Sequence, residues 1–147
     1  MGADWKIHGA ALERDTSGGT DILDITGAVE AELERAGIAE GICLLHVAGS
    51  TAGLTTIEYE SGAVADLARA IERLALRGEH YEHDARWGDG NGYSHVRAAL
   101  LGPSLTLPVS GGRLILGTWQ QVVLCDFDNR PRRRKVVVRF MGEASVG

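Results

Sequence analysis

Two histidines twelve positions apart, His83 and His95, bracket a run that also carries Asp84, Asp89 and Asn91, with His80 three positions ahead of the first. Imidazole titrates nearest neutrality of all side chains. Gathered with carboxylate oxygens, imidazoles can bind a divalent ion or work as an acid–base pair. The same stretch, YEHDARWGDGNGYSH (81–95), also holds three glycines. A Gly/Asp/Asn-rich connection whose histidines bond backbone carbonyls satisfies the spacing equally well. On residue types alone both readings stand.

Three further clusters carry chemical potential. In AGSTAGLTTIE (48–58), Ser50 and Thr51 sit among small residues and could offer hydroxyls and backbone N–H groups to an anion such as phosphate. An ordinary strand-to-strand turn accounts for them more simply. Glu58 closes that run, either as a solvated charge or as an acid facing the same cavity. RPRRRK (130–135) places five basic residues in six. It reads as a solvated turn entering a strand, with Pro131 ending the pairing and the arginines guarding an edge. One or two of them, among Arg132–Arg134, could still reach a phosphorylated ligand, because the guanidinium fork suits that geometry. Trp119, in LGTWQ, is by type a core residue, but the flanking Gly117 and Gln120 point to a close backbone approach or a subunit contact.

The elements that must position these residues follow from periodicity. ITGAVEAELERAGI reads as a helix in which Val29, Leu33 and Ala36 share a face, Thr26 caps the start and Gly37 supplies the stop. GICLLHVAG is a short apolar run of buried-strand type, and GLTTIEYE alternates as its neighbour. SGAVADLARAIERLALRG is the clearest helix, with a stripe of Val64, Leu67, Ile71 and Leu74, with Arg69, Glu72 and Arg73 outward, and with Gly78 at its end. SHVRAALLGP gives a short helix stopped at Gly102-Pro103. The last third reads as strands, SLTLPV, GRLILG, TWQQVVLCDF and KVVVRFM, with Gly111-Gly112 as a tight hairpin connection. Hairpin-like neighbours at the C-terminal end predict a mostly antiparallel α+β domain rather than a doubly wound parallel sheet. GDGNG follows no strand and precedes no phosphate-loop lysine, which sets aside a dinucleotide reading.

The bulk numbers fit one domain spanning 1–147: 147 residues, 44% hydrophobic, 24% charged. A net charge of −5 argues against general nucleic-acid binding, which depends on a basic surface. No apolar run approaches the roughly 20 residues needed to cross a bilayer, so no membrane partner is expected. The MGADWKIHGA start lacks the order of a secretory signal, and Lys6 breaks a myristoylation motif. Cys43 and Cys125 lie in apolar runs and read as buried, inert thiols in a reduced, cytoplasmic protein.

In order and spacing, DIT (24–26), GSTAGLTTIE (49–58), YEHD (81–84), DGNGYSHVRAALLG (89–102), LGTWQ (116–120) and PRRRKVVVRFMGE (131–143) resemble the YjbQ-type family, also called secondary thiamine-phosphate synthases. The resemblance runs over nearly the whole chain. It implies an α+β fold built on a jelly-roll-like antiparallel sandwich flanked by helices, assembled as a homotrimer. The activity it implies is weak thiamine-phosphate synthesis: a pyrimidine diphosphate joined to a thiazole phosphate with release of pyrophosphate. Carried over by motif, His83, His95, Asp84 and Glu58 are the catalytic candidates. The expected ligands of a divalent metal, Zn or Mg, are His83, His95 and Asp89. Ser50, Thr51, Asn91, Arg132 and Arg134 receive the phosphorylated small molecule. One position departs. Where the family has the histidine of an H-T-T-A motif this chain has Gly49, and His46, three positions away on an alternating strand, points to the other face. That departure motivates an alternative, a metal- or phosphate-ligand-binding protein without turnover.

Overall fold

A computed structural model describes residues 4–146; the Met1-Gly2 start lies outside the described residues. In chain order the elements are β1 (Trp5–Thr16), β2 (Asp21–Asp24), α1 (Thr26–Ala36), β3 (Ile38–Val47), β4 (Ala52–Glu58), α2 (Ser61–Leu74), α3 (Glu82–Trp87), α4 (Gly92–Leu101), β5 (Ser104–Ser110), β6 (Arg113–Leu114), β7 (Gln120–Asp126) and β8 (Arg132–Ala144). Strands pair antiparallel in a five-stranded sheet ordered β1-β8-β3-β5-β6 and a three-stranded sheet ordered β2-β7-β4. The protein is therefore α+β with antiparallel sheets, as its periodicity predicts. Among the described residues no helix is long and apolar enough to cross a membrane.

Side-chain alternation decides how the sheets meet. On β8, Val136, Val138 and Phe140 turn inward with Cys43, Leu45 and Val47 of β3. The facing sheet supplies Leu54, Val122 and Leu124, and α1 closes on the same core through Val29, Leu33 and Ala36. Each large side chain fully buried there stabilises the fold by about 1.5–3 kcal/mol. The odd-numbered residues Val123 and Cys125, with Phe127 just beyond β7, face the opposite way onto Ile22, Ile71 and Ala98, so that α2 and α4 cover the outer side of the smaller sheet. Both thiols are free and buried, and burial pushes each up to about 12.

Several local expectations are refined by packing. Gly37 halts α1 in the left-handed region at φ 61°, but Thr26 is not the cap. It is the first helical residue, and its hydroxyl accepts the Val122 N–H at 2.8 Å, tying the helix to β7. Helix α2 stops at Leu74, short of Gly78, because the carbonyl of Ala75 accepts Nε of the buried Arg97 at 3.0 Å. Arg97 also pairs with Glu72, which is thereby drawn inward, while Leu74 remains exposed. Strand β6 covers two residues of the GRLILG run, although the Gly111-Gly112 turn forms as expected, with φ of 58° and 75°. Gly41 and Gly142 stand opposite each other across β3 and β8, where a Cβ on Gly142 would lie 2.0 Å from the Glu40 carbonyl oxygen. The arginine run is not a turn at a sheet edge. Arg132–Arg134 belong to β8 and pair with Thr16–Arg14 of β1, since the residues before them turn at 127–131 and leave the alternation free to resume at Arg132.

Candidate functional site

The inner stripe of the sandwich changes character at one end. Along β7 the inward positions run Val122, Leu124, Asp126 and, just beyond the strand, Asp128; along β8 they run Phe140, Val138, Val136, Arg134 and Arg132. Period-2 alternation thus carries two carboxylates and two guanidiniums into the space between the sheets where the apolar filling ends. Asp126 and Asp128 are both 0% exposed. Arg134 Nε donates to Asp126 Oδ2 at 2.6 Å, and Arg132 Nε donates to Asp128 Oδ2 at 2.6 Å. Thr16 Oγ1 adds a 2.6 Å bond to Asp126, and Thr51 Oγ1 joins the two pairs by donating to Asp128 at 3.2 Å and accepting Arg134 Nη2 at 2.5 Å. Burial by itself pushes the Asp128 carboxyl up, but the hydrogen bonds from Arg132, the Asn129 N–H and Asn91, with the charge of Arg132, outweigh it and hold the carboxyl at about 2.

Helices α3 and α4 bring the imidazoles to this end. The stretch read as a loop contains α3, which Gly88 ends in the left-handed region at φ 72°. Asp84 Oδ1 accepts the Gly92 N–H at 2.8 Å, binding α3 to the start of α4. Gly92 permits the approach, because a Cβ there would lie 2.5 Å from Tyr81 Cβ. In consequence the rings of His83 and His95 sit 4.3 Å apart between centroids, tilted at 41°. His83 Nδ1 lies 3.3 Å from Asp89 Oδ1 and 3.6 Å from Asp84 Oδ1, is itself buried, and has no hydrogen-bond partner among the described residues. Asn91, 7% exposed, donates to Asp128 through Nδ2 at 3.2 Å and leaves its buried Oδ1 without a partner.

Together these side chains wall an open cleft of about 490 Å³ lined by Gly49, Ser50, Thr51, His83, Trp87, Asp89, Asn91, His95, Arg132 and Arg134. A comparable concavity beside the end of α1 holds Glu30, Glu34, Arg113 and Ser145 but no imidazole to activate the hydroxyl, which leaves the cleft with the histidines as the candidate site.

Most of the residues singled out in the sequence therefore converge, with changed duties for some. Thr51 is buried and its hydroxyl is committed to Asp128 and Arg134, whereas Ser50 stands exposed at the rim. Asp84 anchors α4. The donor atoms that fall together are those of His83, Asp84 and Asp89, mutually within 4.8 Å; His95 stacks beside His83 but is not part of that set. Glu58 is not at the cleft. It ends β4, seven residues from Thr51, about 23 Å away at roughly 3.3 Å per strand residue, and pairs there with Gln120. Trp119 is 72% exposed on a turn near that distant end, not in the core. His46 bonds Ser104 on the outer face of β3, as alternation requires. His80 pairs with Glu82 at the surface. Three residues escaped the sequence reading: Trp87, 67% exposed on the cleft rim, and the buried Asp126 and Asp128. The last two were signalled by D-x-D and R-x-R spacings that continue the apolar alternation of their strands.

An antiparallel α+β sandwich with an imidazole, carboxylate and arginine cleft at one end is the class that fold and site define. A family model described as UPF0047 protein YjbQ-like matches residues 10–143. The chain belongs to this family. It is 37% identical over 130 residues to a UPF0047 protein of Archaeoglobus fulgidus, covering 88% of this chain and 98% of that one. It is 36% identical over 133 residues to the UPF0047 protein YugU of Bacillus subtilis, covering 89% and 97%. Among solved structures, a YbjQ-like protein of unknown function from Sulfolobus solfataricus superposes with a TM-score of 0.91 at 32% identity, covering 95% of this chain and 100% of that chain.

Proposed function

We propose that the cleft acts on a phosphorylated small molecule, with His83 and His95 on one wall and Arg132 and Arg134 on the other. The observation that carries this is the convergence of the two imidazoles, 4.3 Å apart, on a cleft that Arg132 and Arg134 also line. The reaction that fits is thiamine-phosphate synthesis. As pyrophosphate leaves the methylene carbon of the pyrimidine it takes the bonding electron pair, the thiazole ring nitrogen supplies the pair for the new carbon–nitrogen bond, and the guanidiniums would meet the charge that develops on the departing oxygens. His95 and His83 would move a proton at the ligand, with the Asp89 and Asp84 carboxylates 3.3 and 3.6 Å from His83 Nδ1.

A divalent ion suits the same wall. Donor atoms around a tetrahedral ion with bonds of about 2.1 Å stand about 3.4 Å apart, and the two spacings from His83 Nδ1 to the carboxylates are 3.3 and 3.6 Å. His83, Asp84 and Asp89 would hold it, and its chemistry would be charge neutralisation on the phosphate oxygens. A homotrimer in the cytoplasm is the assembly and place we assign on family resemblance, with Trp119 as the exposed residue available to a neighbouring subunit. Gly49 favours a second reading, binding without turnover, because it supplies no side chain to the cleft.

Purified protein incubated with the pyrimidine diphosphate, the thiazole phosphate and magnesium should form thiamine phosphate, and His83→Ala should slow it at least about tenfold. No product above that control refutes the synthase reading. Binding of both precursors with no product decides for the second.

A further inference from the structure

A guanidinium offers five N–H bonds in a rigid fork, so the bonds already made fix where the rest point. Arg134 commits Nε and Nη2 to Asp126, at 2.6 and 3.0 Å, and Nη2 also to Thr51. Asp126 cannot turn away, because it also receives the Thr16 hydroxyl and the Asp128 N–H. Nη1 of Arg134 has no partner among the described residues, and it lies 2.9 Å from the place a Cβ on Gly49 would take. Gly49 does not have a positive φ, so its backbone is open to any residue. What requires glycine is the room for that nitrogen. Arg132, held at Nε by Asp128, leaves both of its terminal nitrogens on the same cleft without partners among the described residues. Beside them the buried Oδ1 of Asn91 also lacks a partner, the mark of a wall that something bound completes.

We propose that Gly49 is a specificity-determining position: by carrying no side chain it leaves Arg134 Nη1, aimed by Asp126 and Thr51, as a donor to a phosphoryl oxygen of the ligand. This rests on the reading that the cleft takes a phosphorylated ligand. A larger residue at 49 covers the free edge of the guanidinium while its bonds to Asp126 hold, which removes a charge-assisted bond to the anion. Restoring a family-like histidine there therefore opposes Arg134 rather than filling an empty corner.

The test is titration calorimetry of inorganic pyrophosphate in magnesium buffer with wild type, Gly49→Ala, Arg134→Lys and the double variant, with thermal midpoints measured alongside. Gly49→Ala should weaken binding about tenfold, the loss expected for one hydrogen bond to a charged group, without lowering the midpoint. In the Arg134→Lys background, where Nη1 is gone, the same alanine should change nothing further. Wild-type binding that Gly49→Ala leaves intact, or an alanine effect that persists in the Arg134→Lys background, overturns the inference and leaves the phosphoryl reading in place. No binding by wild type overturns both.

Discussion

Replacing Asp128 by asparagine keeps the side chain's shape and removes its charge from the centre of the arginine network. The carboxylate accepts from Arg132 Nε at 2.6 Å, the Asn129 N–H at 2.8 Å, and Asn91 Nδ2 and Thr51 Oγ1, each at 3.2 Å. These bonds lower its pKa from an ordinary 3.8 to about 2. A carboxyl depressed on folding contributes stability that is complete above its unfolded value and disappears as pH falls through the folded one. Nearly two units at about 1.4 kcal/mol each give about 2.5 kcal/mol, present at pH 5 and above and lost on acidification toward pH 2. At pH 7, Asp128→Asn should cost about 3–5 kcal/mol, because Arg132 Nε and the Thr51 hydroxyl then face an amide N–H₂ in place of a carboxylate oxygen. Urea unfolding of both proteins between pH 7 and pH 2 isolates the contribution, since every other titrating group is shared. The gap between the two curves should narrow by about 2 kcal/mol by pH 2, most of it below pH 4. A gap that stays constant over that range refutes the argument that the network holds this carboxylate ionised.

Gly142→Ala should destabilise the sandwich severely, by more than about 3 kcal/mol, because the new methyl meets backbone that cannot move without parting β3 from β8; a thermal midpoint within a few degrees of wild type would contradict the close approach. Asp84→Asn retains an oxygen for the Gly92 N–H while withdrawing the carboxylate from the His83 set. Zinc affinity should fall about tenfold with urea stability unchanged, and unaltered affinity would remove Asp84 from the proposed ligands.

The alternations that make the strands, the glycine stops of α1 and of the β5–β6 hairpin, and the family are all legible in residue order. Local steric and hydrophobic rules operate over a few residues, and those features need nothing more. Residue order did not yield β1, whose period is carried by small residues such as Gly9, Ala10 and Ala11, nor α3, a six-residue helix that is mostly polar and stabilised by contact with α4. His83 and His95 were legible as a pair worth suspecting, yet their meeting depends on Gly92 letting Tyr81 close in, a contact across eleven positions that no spacing reveals. The separation of Glu58 from the cleft has the matching reason: strand length carries it about 23 Å from Thr51. Asp126 and Asp128 drew no attention in residue order; β7 and β8, connected through residues 127–131, laid them against Arg134 and Arg132. Only packing decides which charges lose their water, and the loss of that water turns four surface-type residues into a fixed network.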